Sequence, residues 1–167
     1  MRSFFSFPDP VNEVSARLVA GGVVVMTALF LISGNEWLLP LIAYGFLARV
    51  LAGPKISPLG LLVTRLIEPS LPTEPRLTPG PPKRFAQGIG ATLSLAAVLS
   101  YFLFSLTPLA YVLTAAILVA ASLEAFVGFC LGCTIFGLLM RVGVIPESAC
   151  EACADISLRR PTASARG

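Results

Sequence analysis

Apolar residues in this chain come in long unbroken runs separated by short polar breaks, without the strict alternation of a half-buried strand. The first run goes from about Val14 to Ile32, and a shorter one from Trp37 to Ala52 carries Pro40 in its first turn, where proline is tolerated. A third spans Phe85 to Leu106, and a fourth starts at Pro108 and stays apolar to about Val142. All but the second have about 19 residues or more, enough to cross a hydrocarbon core. The pattern predicts an all-α integral membrane protein. Its four-helix transmembrane bundle has spans at about 14–32, 37–52, 85–106 and 108–128, within a membrane domain of residues 1–143.

The fourth run is too long for one crossing. A continuous helix from Pro108 to Val142 would measure about 50 Å against a core of about 30 Å. A bend near Gly128 and Gly132 resolves the excess, leaving an interfacial helix at about 129–142 with Arg141 reaching the headgroups. The alternative is a straight helix whose surplus is buried against a partner subunit in an oligomer. A polar, cysteine-bearing tail, residues 144–167, completes the chain.

Between the second and third runs, Leu59, Leu62, Val63, Leu66 and Ile67 recur at helical spacing, with Thr64, Arg65 and Glu68 off that face. This predicts an amphipathic helix on the membrane surface. The proline-dense stretch from Pro69 to Pro82 then reads as an extended linker.

Composition agrees with a bilayer as solvent: 56% of residues are hydrophobic and 13% charged. Charge then sets the orientation. The breaks at 33–36 and 106–108 hold no Lys or Arg, whereas Lys55, Arg65, Arg76, Lys83 and Arg84 share the long connector. Arg2, Arg159, Arg160 and Arg166 lie at the ends. By the positive-inside rule that side faces the cytoplasm, so both termini are expected there, in a bacterial inner membrane. The net charge of +3 is scattered through loops, so nucleic acid is not an expected partner; the lipid bilayer is. The first ten residues lack the organisation of a removable signal peptide. Trp37, Tyr101, Tyr111, Phe4, Phe5 and Phe7 fit interface anchors.

Glu124 is the one acid deep in an apolar run. Ala116, Ala120, Glu124 and Gly128 recur every four residues, a small-residue stripe that turns Glu124 toward the bundle. Arg49 and Arg17 lie at similar depth, and a Glu124–Arg49 ion pair is the expected way this charge is tolerated.

The remaining chemistry is sulfur. The four cysteines read Cys130-x₂-Cys133-x₁₆-Cys150-x₂-Cys153, and there is no histidine. A Ser-His-Asp arrangement and histidine-ligated metals are thereby excluded. Three readings remain. Cys130 and Cys133 are a working dithiol at a helix start, with Cys150 and Cys153 as a secondary or resolving pair. Or all four thiolates bind one structural zinc ion, which requires residues 146–149 to be largely non-helical so that the tail can return to Cys133. Or they are apolar cysteines that simply pack. No fixed cation flanks either pair in sequence, and Glu147, Glu151 and Asp155 make the second pair's surroundings acidic.

With Asp9-Pro-Val-Asn-Glu13, Gly128-Phe-Cys-Leu-Gly-Cys133, Gly143-Val-Ile-Pro-Glu147 and Cys150-Glu-Ala-Cys153 in view, the chain resembles an uncharacterised bacterial membrane family catalogued as domain of unknown function 4395. The resemblance implies a small multi-span inner-membrane protein in which both cysteine pairs belong to the pattern. The expected function is dithiol–disulfide exchange with a cytoplasmic thiol partner, thioredoxin-like or sulfur-handling. The rivals are a non-enzymatic scaffold with a four-cysteine zinc clasp and, more weakly, a small-solute transporter using Glu124.

Overall fold

In a computed structural model, residues 11–53, 56–70 and 76–150 are described; Lys55, Cys153, the aromatic N-terminal residues, the terminal arginines and residues 71–75 of the proline-dense linker lie outside them. The described chain is mostly helical. Helix α1 (Glu13–Ser33) starts where the Asn12 side chain accepts the Val14 N–H and stops at Gly34, whose φ of 65° favours glycine. Helix α2 (Leu38–Ala52) begins after a short turn. Helix α3 (Pro58–Leu62), capped by Ser57, runs into a π turn at Val63–Ile67. Helices α4 (Gly80–Phe102), α5 (Thr107–Ser122) with a π turn at Leu123–Val127, and α6 (Leu131–Arg141) complete the order. The two-residue strands β1 (Val11–Asn12) and β2 (Leu77–Thr78) pair antiparallel and tie the start of α1 to the lead-in of α4.

Three helical stretches, Glu13–Ser33, Gly80–Phe102 and Thr107–Val127, are long and apolar enough to cross a membrane. Helix α2 is apolar but shorter. It packs on α4, α4 packs on α5, and α1 packs on α5 and α2. One core cluster joins Val23, Ile42, Phe46, Ala91, Ile117 and Ala121; a second joins Phe30, Leu39, Ala97 and Ala110. The outward faces carry Val25, Leu29, Leu51, Leu99, Val112 and Val119, so these helices are apolar on both sides, as lipid contact demands. Glycine lets α4 and α2 approach closely, because a Cβ on Gly90 would collide with the Phe46 ring.

Several expectations are corrected. Helix α4 begins at Gly80, not Phe85, because Pro81 and Pro82 occupy first-turn positions whose N–H groups have no intrahelical partner to lose. The buried stripe of α5 is Ala110, Thr114, Ile117 and Ala121, while Ala116 is exposed. Residue size alone misplaced it: Thr114 tucks inward by returning its hydroxyl to the Ala110 carbonyl at 2.8 Å. Tyr101 and Tyr111 pack on Phe30, at ring distances of 6.5 and 4.9 Å, near the turns that close this end of the bundle, and Trp37 is 73% exposed. The α3 stripe divides, with Val63 buried and Leu62 and Leu66 exposed, since the wider π turn rotates the residues after Leu62 about the helix axis.

The chain direction gathers the charges. The turns around 34–37 and 103–106 lie at one end, and Arg17, Arg49, Lys83 and Arg84 lie at the other. There the Arg84 Nε donates to the Val50 carbonyl at 3.1 Å, joining α4 to the last turn of α2.

Candidate functional site

At this charged end the fourth apolar run breaks. Gly128 adopts φ 75° and returns its N–H to the Glu124 carbonyl, and the Phe129 N–H reaches the Leu123 carbonyl. Arg17, on α1, donates to the Ala125 carbonyl at 3.3 and 3.2 Å and to the Phe126 carbonyl at 3.1 Å. Its cation satisfies carbonyls left over where the helix ends, which fixes the elbow.

The chain leaves the elbow at Cys130, which caps α6. Its backbone is extended (φ −89°, ψ 104°), and its sulfur accepts the Cys133 N–H at 3.3 Å. Helix α6 seats on α4 through Gly132, against Ala86, and through Phe136, whose ring meets Phe85 at 5.6 Å. Leu131, Ile135 and Leu138 face outward. Cys130 and Cys133, one helical turn apart, are free and half-buried.

Glu124 pairs with Lys83, not Arg49: Nζ to Oε1 is 2.6 Å, with the side chains 10% and 14% exposed. The reason is the early start of α4, which makes Lys83 a helical residue facing α5. Arg49 belongs to α2, whose neighbour is α4, so it donates to the Gln87 Oε1 at 2.9 Å and the Ser57 hydroxyl at 3.4 Å, with its guanidinium 4.6 Å from the Phe46 ring centroid. No cation flanks the first pair in sequence, but the fold brings Lys83 close enough to act electrostatically on both thiols. Sequence reading counted Lys83 as a loop charge. The Gly80-Pro-Pro-Lys83 order was the available signal of a helix start.

The two thiols are unequal. A hydrogen bond from the Cys133 thiol holds the Cys130 pKa below the ordinary cysteine value, against burial and the Glu124 charge, with help from Lys83 and the Cys133 N–H. Cys133, as the donor in that bond and buried, is pushed up far beyond the ordinary range. A lowered first thiol at a helix N-terminus beside a raised second thiol is the kind of asymmetry that dithiol exchange can use.

Cys150 is buried and disulfide-bonded, and Cys153 lies outside the described residues. Residues 147–149 form a single 3₁₀ turn. Among the described residues no group of three or more Cys, Asp or Glu is arranged to hold a metal. Cys130 instead walls a cavity of about 80 Å³ that also touches Glu124, Gln87 and Arg49 and is otherwise apolar.

The sequence profile of the family described as domain of unknown function (DUF4395) matches residues 11–141. The chain belongs to this family. The matched region takes in α1 through α6, with Lys83, Glu124, Cys130 and Cys133, and stops short of Cys150. No curated protein and no solved structure matches the chain.

Proposed function

We propose that this DUF4395 protein is a four-span inner-membrane dithiol protein, exchanging electrons with a cytoplasmic thiol partner through Cys130 and Cys133. The carrying observation is the Cys130 sulfur at the α6 N-terminus, accepting the Cys133 N–H beside the Lys83–Glu124 pair. In the reducing direction, the Cys130 thiolate attacks a partner disulfide and one partner thiolate leaves. Cys133 then loses its proton and attacks the Cys130 sulfur, releasing the second partner thiolate and leaving a Cys130–Cys133 disulfide. The reverse sequence oxidises a partner dithiol. Cys150 and Cys153 form the secondary pair.

The charged end faces the cytoplasm by the positive-inside rule. There α6 lies in the inner interface with Leu131, Ile135 and Leu138 toward the acyl chains, and α3 covers the base of α1 and α2 as an amphipathic surface helix.

The test is trapping. Purified full-length Cys133→Ser protein, mixed with an oxidised thioredoxin-like protein, is expected to hold it as a covalent adduct released by dithiothreitol and absent from Cys130→Ser. No adduct, together with about one zinc ion per chain and four protected thiols, overturns the reading.

A further inference from the structure

The thiol cavity has a neighbour. A larger groove of about 350 Å³ lies between α1, α2 and α3, with Met26, Leu41, Ile42, Leu59 and Leu62 in its wall. Val23 and Arg49 border both spaces. Arg49 is 5% exposed and has no carboxylate within ion-pair distance among the described residues. The groove is apolar along its length, falls within the volume range of small-molecule sites, and carries one cation where it adjoins the thiol cavity.

We propose that the electron acceptor of the Cys130–Cys133 dithiol is a quinone dissolved in the bilayer, with its isoprenoid chain in this groove and its ring carbonyl at Arg49. The proposal rests on the dithiol reading and names its oxidant. A dithiol that met only soluble partners would gain nothing from an apolar cavity walled by Arg49. Two-electron carriers that dissolve in lipid are quinones. A neutral carbonyl that becomes an oxyanion as electrons arrive is stabilised by a preorganised, poorly hydrated guanidinium more in the product-like state than in the ground state. A phospholipid phosphate, already charged and hydrated, gains less from so buried a cation.

The step balances. The Cys130 thiolate adds to the quinone ring, the Cys133 thiol gives up its proton and attacks the Cys130 sulfur, and the ring carbon–sulfur bond breaks with its electron pair retained on the ring. Two thiols become one disulfide, and the quinone takes two electrons and two protons to become quinol.

The experiment uses full-length, pre-reduced protein in phosphatidylcholine nanodiscs without oxygen, with a benzoquinone bearing one isoprene unit as probe and glutathione disulfide as soluble comparison. The expected result is one quinol per Cys130–Cys133 disulfide, absent in Cys130→Ser. The ratio of quinone to glutathione-disulfide rate should fall about tenfold or more in Arg49→Gln, the cost of one charged hydrogen bond, and similarly in Leu62→Trp, which fills the groove from its exposed rim. Leu62→Trp serves if Arg49→Gln fails to fold. Reaction with glutathione disulfide but not with quinone overturns the acceptor and leaves the dithiol function standing. Reaction with neither overturns both. An undiminished ratio in Leu62→Trp overturns the site.

Discussion

Lys83 and Glu124 meet at 2.6 Å across the α4–α5 contact, nearly enclosed, beside the cavity that Cys130 walls. The pair presents opposite charges to one sulfur. Lys83 favours the Cys130 thiolate and Glu124 opposes it.

Opposite mutations should therefore move Cys130 in opposite directions. Lys83→Met is expected to raise the pH at which Cys130 becomes alkylatable, and Glu124→Gln to lower it. Cys133→Ala removes the largest stabilising contact and should raise it too. Because the folded thiol is held below the ordinary cysteine value, the alkylation profile of Cys130 with iodoacetamide should lie at lower pH than that of a free cysteine. The pH profile of alkylation, read site by site by mass spectrometry, checks the signs. A shared direction for Lys83→Met and Glu124→Gln would show a merely structural pair.

Stability should obey a different rule. Removing one partner leaves a nearly enclosed charge without its counterion, at a cost of about 3 kcal/mol. The double variant Lys83→Met/Glu124→Gln should recover much of that loss. Thermal melting of the four proteins in one detergent measures the coupling.

The seating of α6 on α4 depends on Gly132. A Cβ there would lie 2.5 Å from both the Cα and the Cβ of Ala86, and backbone cannot swing away. Gly132→Ala should cost about 1–3 kcal/mol and expose Cys133 to alkylation. Gly137→Ala, on the same helix with nothing within 4 Å, should be neutral or slightly stabilising. Melting temperature and Cys133 reactivity separate the two.

Sidedness has its own test. Trp37→Cys, at a position 73% exposed at the end without Lys or Arg, should be labelled by an impermeant maleimide from the periplasm in a cysteine-free background. Cys130 should be labelled only from the cytoplasmic face. Labelling of Cys130 from the periplasm would invert the topology.

Much of the frame was legible in the sequence because long apolar runs and their breaks speak directly: α1 and α2 lie within a residue or two of their expected bounds. The break ahead of Cys130 was readable from helix length against bilayer thickness, with Gly128 supplying the left-handed residue. What failed depended on helix register and on neighbours. A double proline looked like linker and proved to be a helix start, which hid Lys83. Arg49 was chosen for Glu124 by depth alone, although partner choice is set by which helices touch, and α2 touches α4. The Arg17 clamp on the Ala125 and Phe126 carbonyls is a contact between residues over a hundred positions apart, with no local signal.

The most direct measurement is a redox titration of the reduced, full-length protein across glutathione buffers, with alkylation and peptide mass spectrometry at each point. A reversible two-electron transition that converts Cys130 and Cys133 into one linked pair, in metal-free protein, is the predicted result. Thiols at 130 and 133 that stay separately alkylatable throughout, or that are masked by a stoichiometric metal ion, would contradict it.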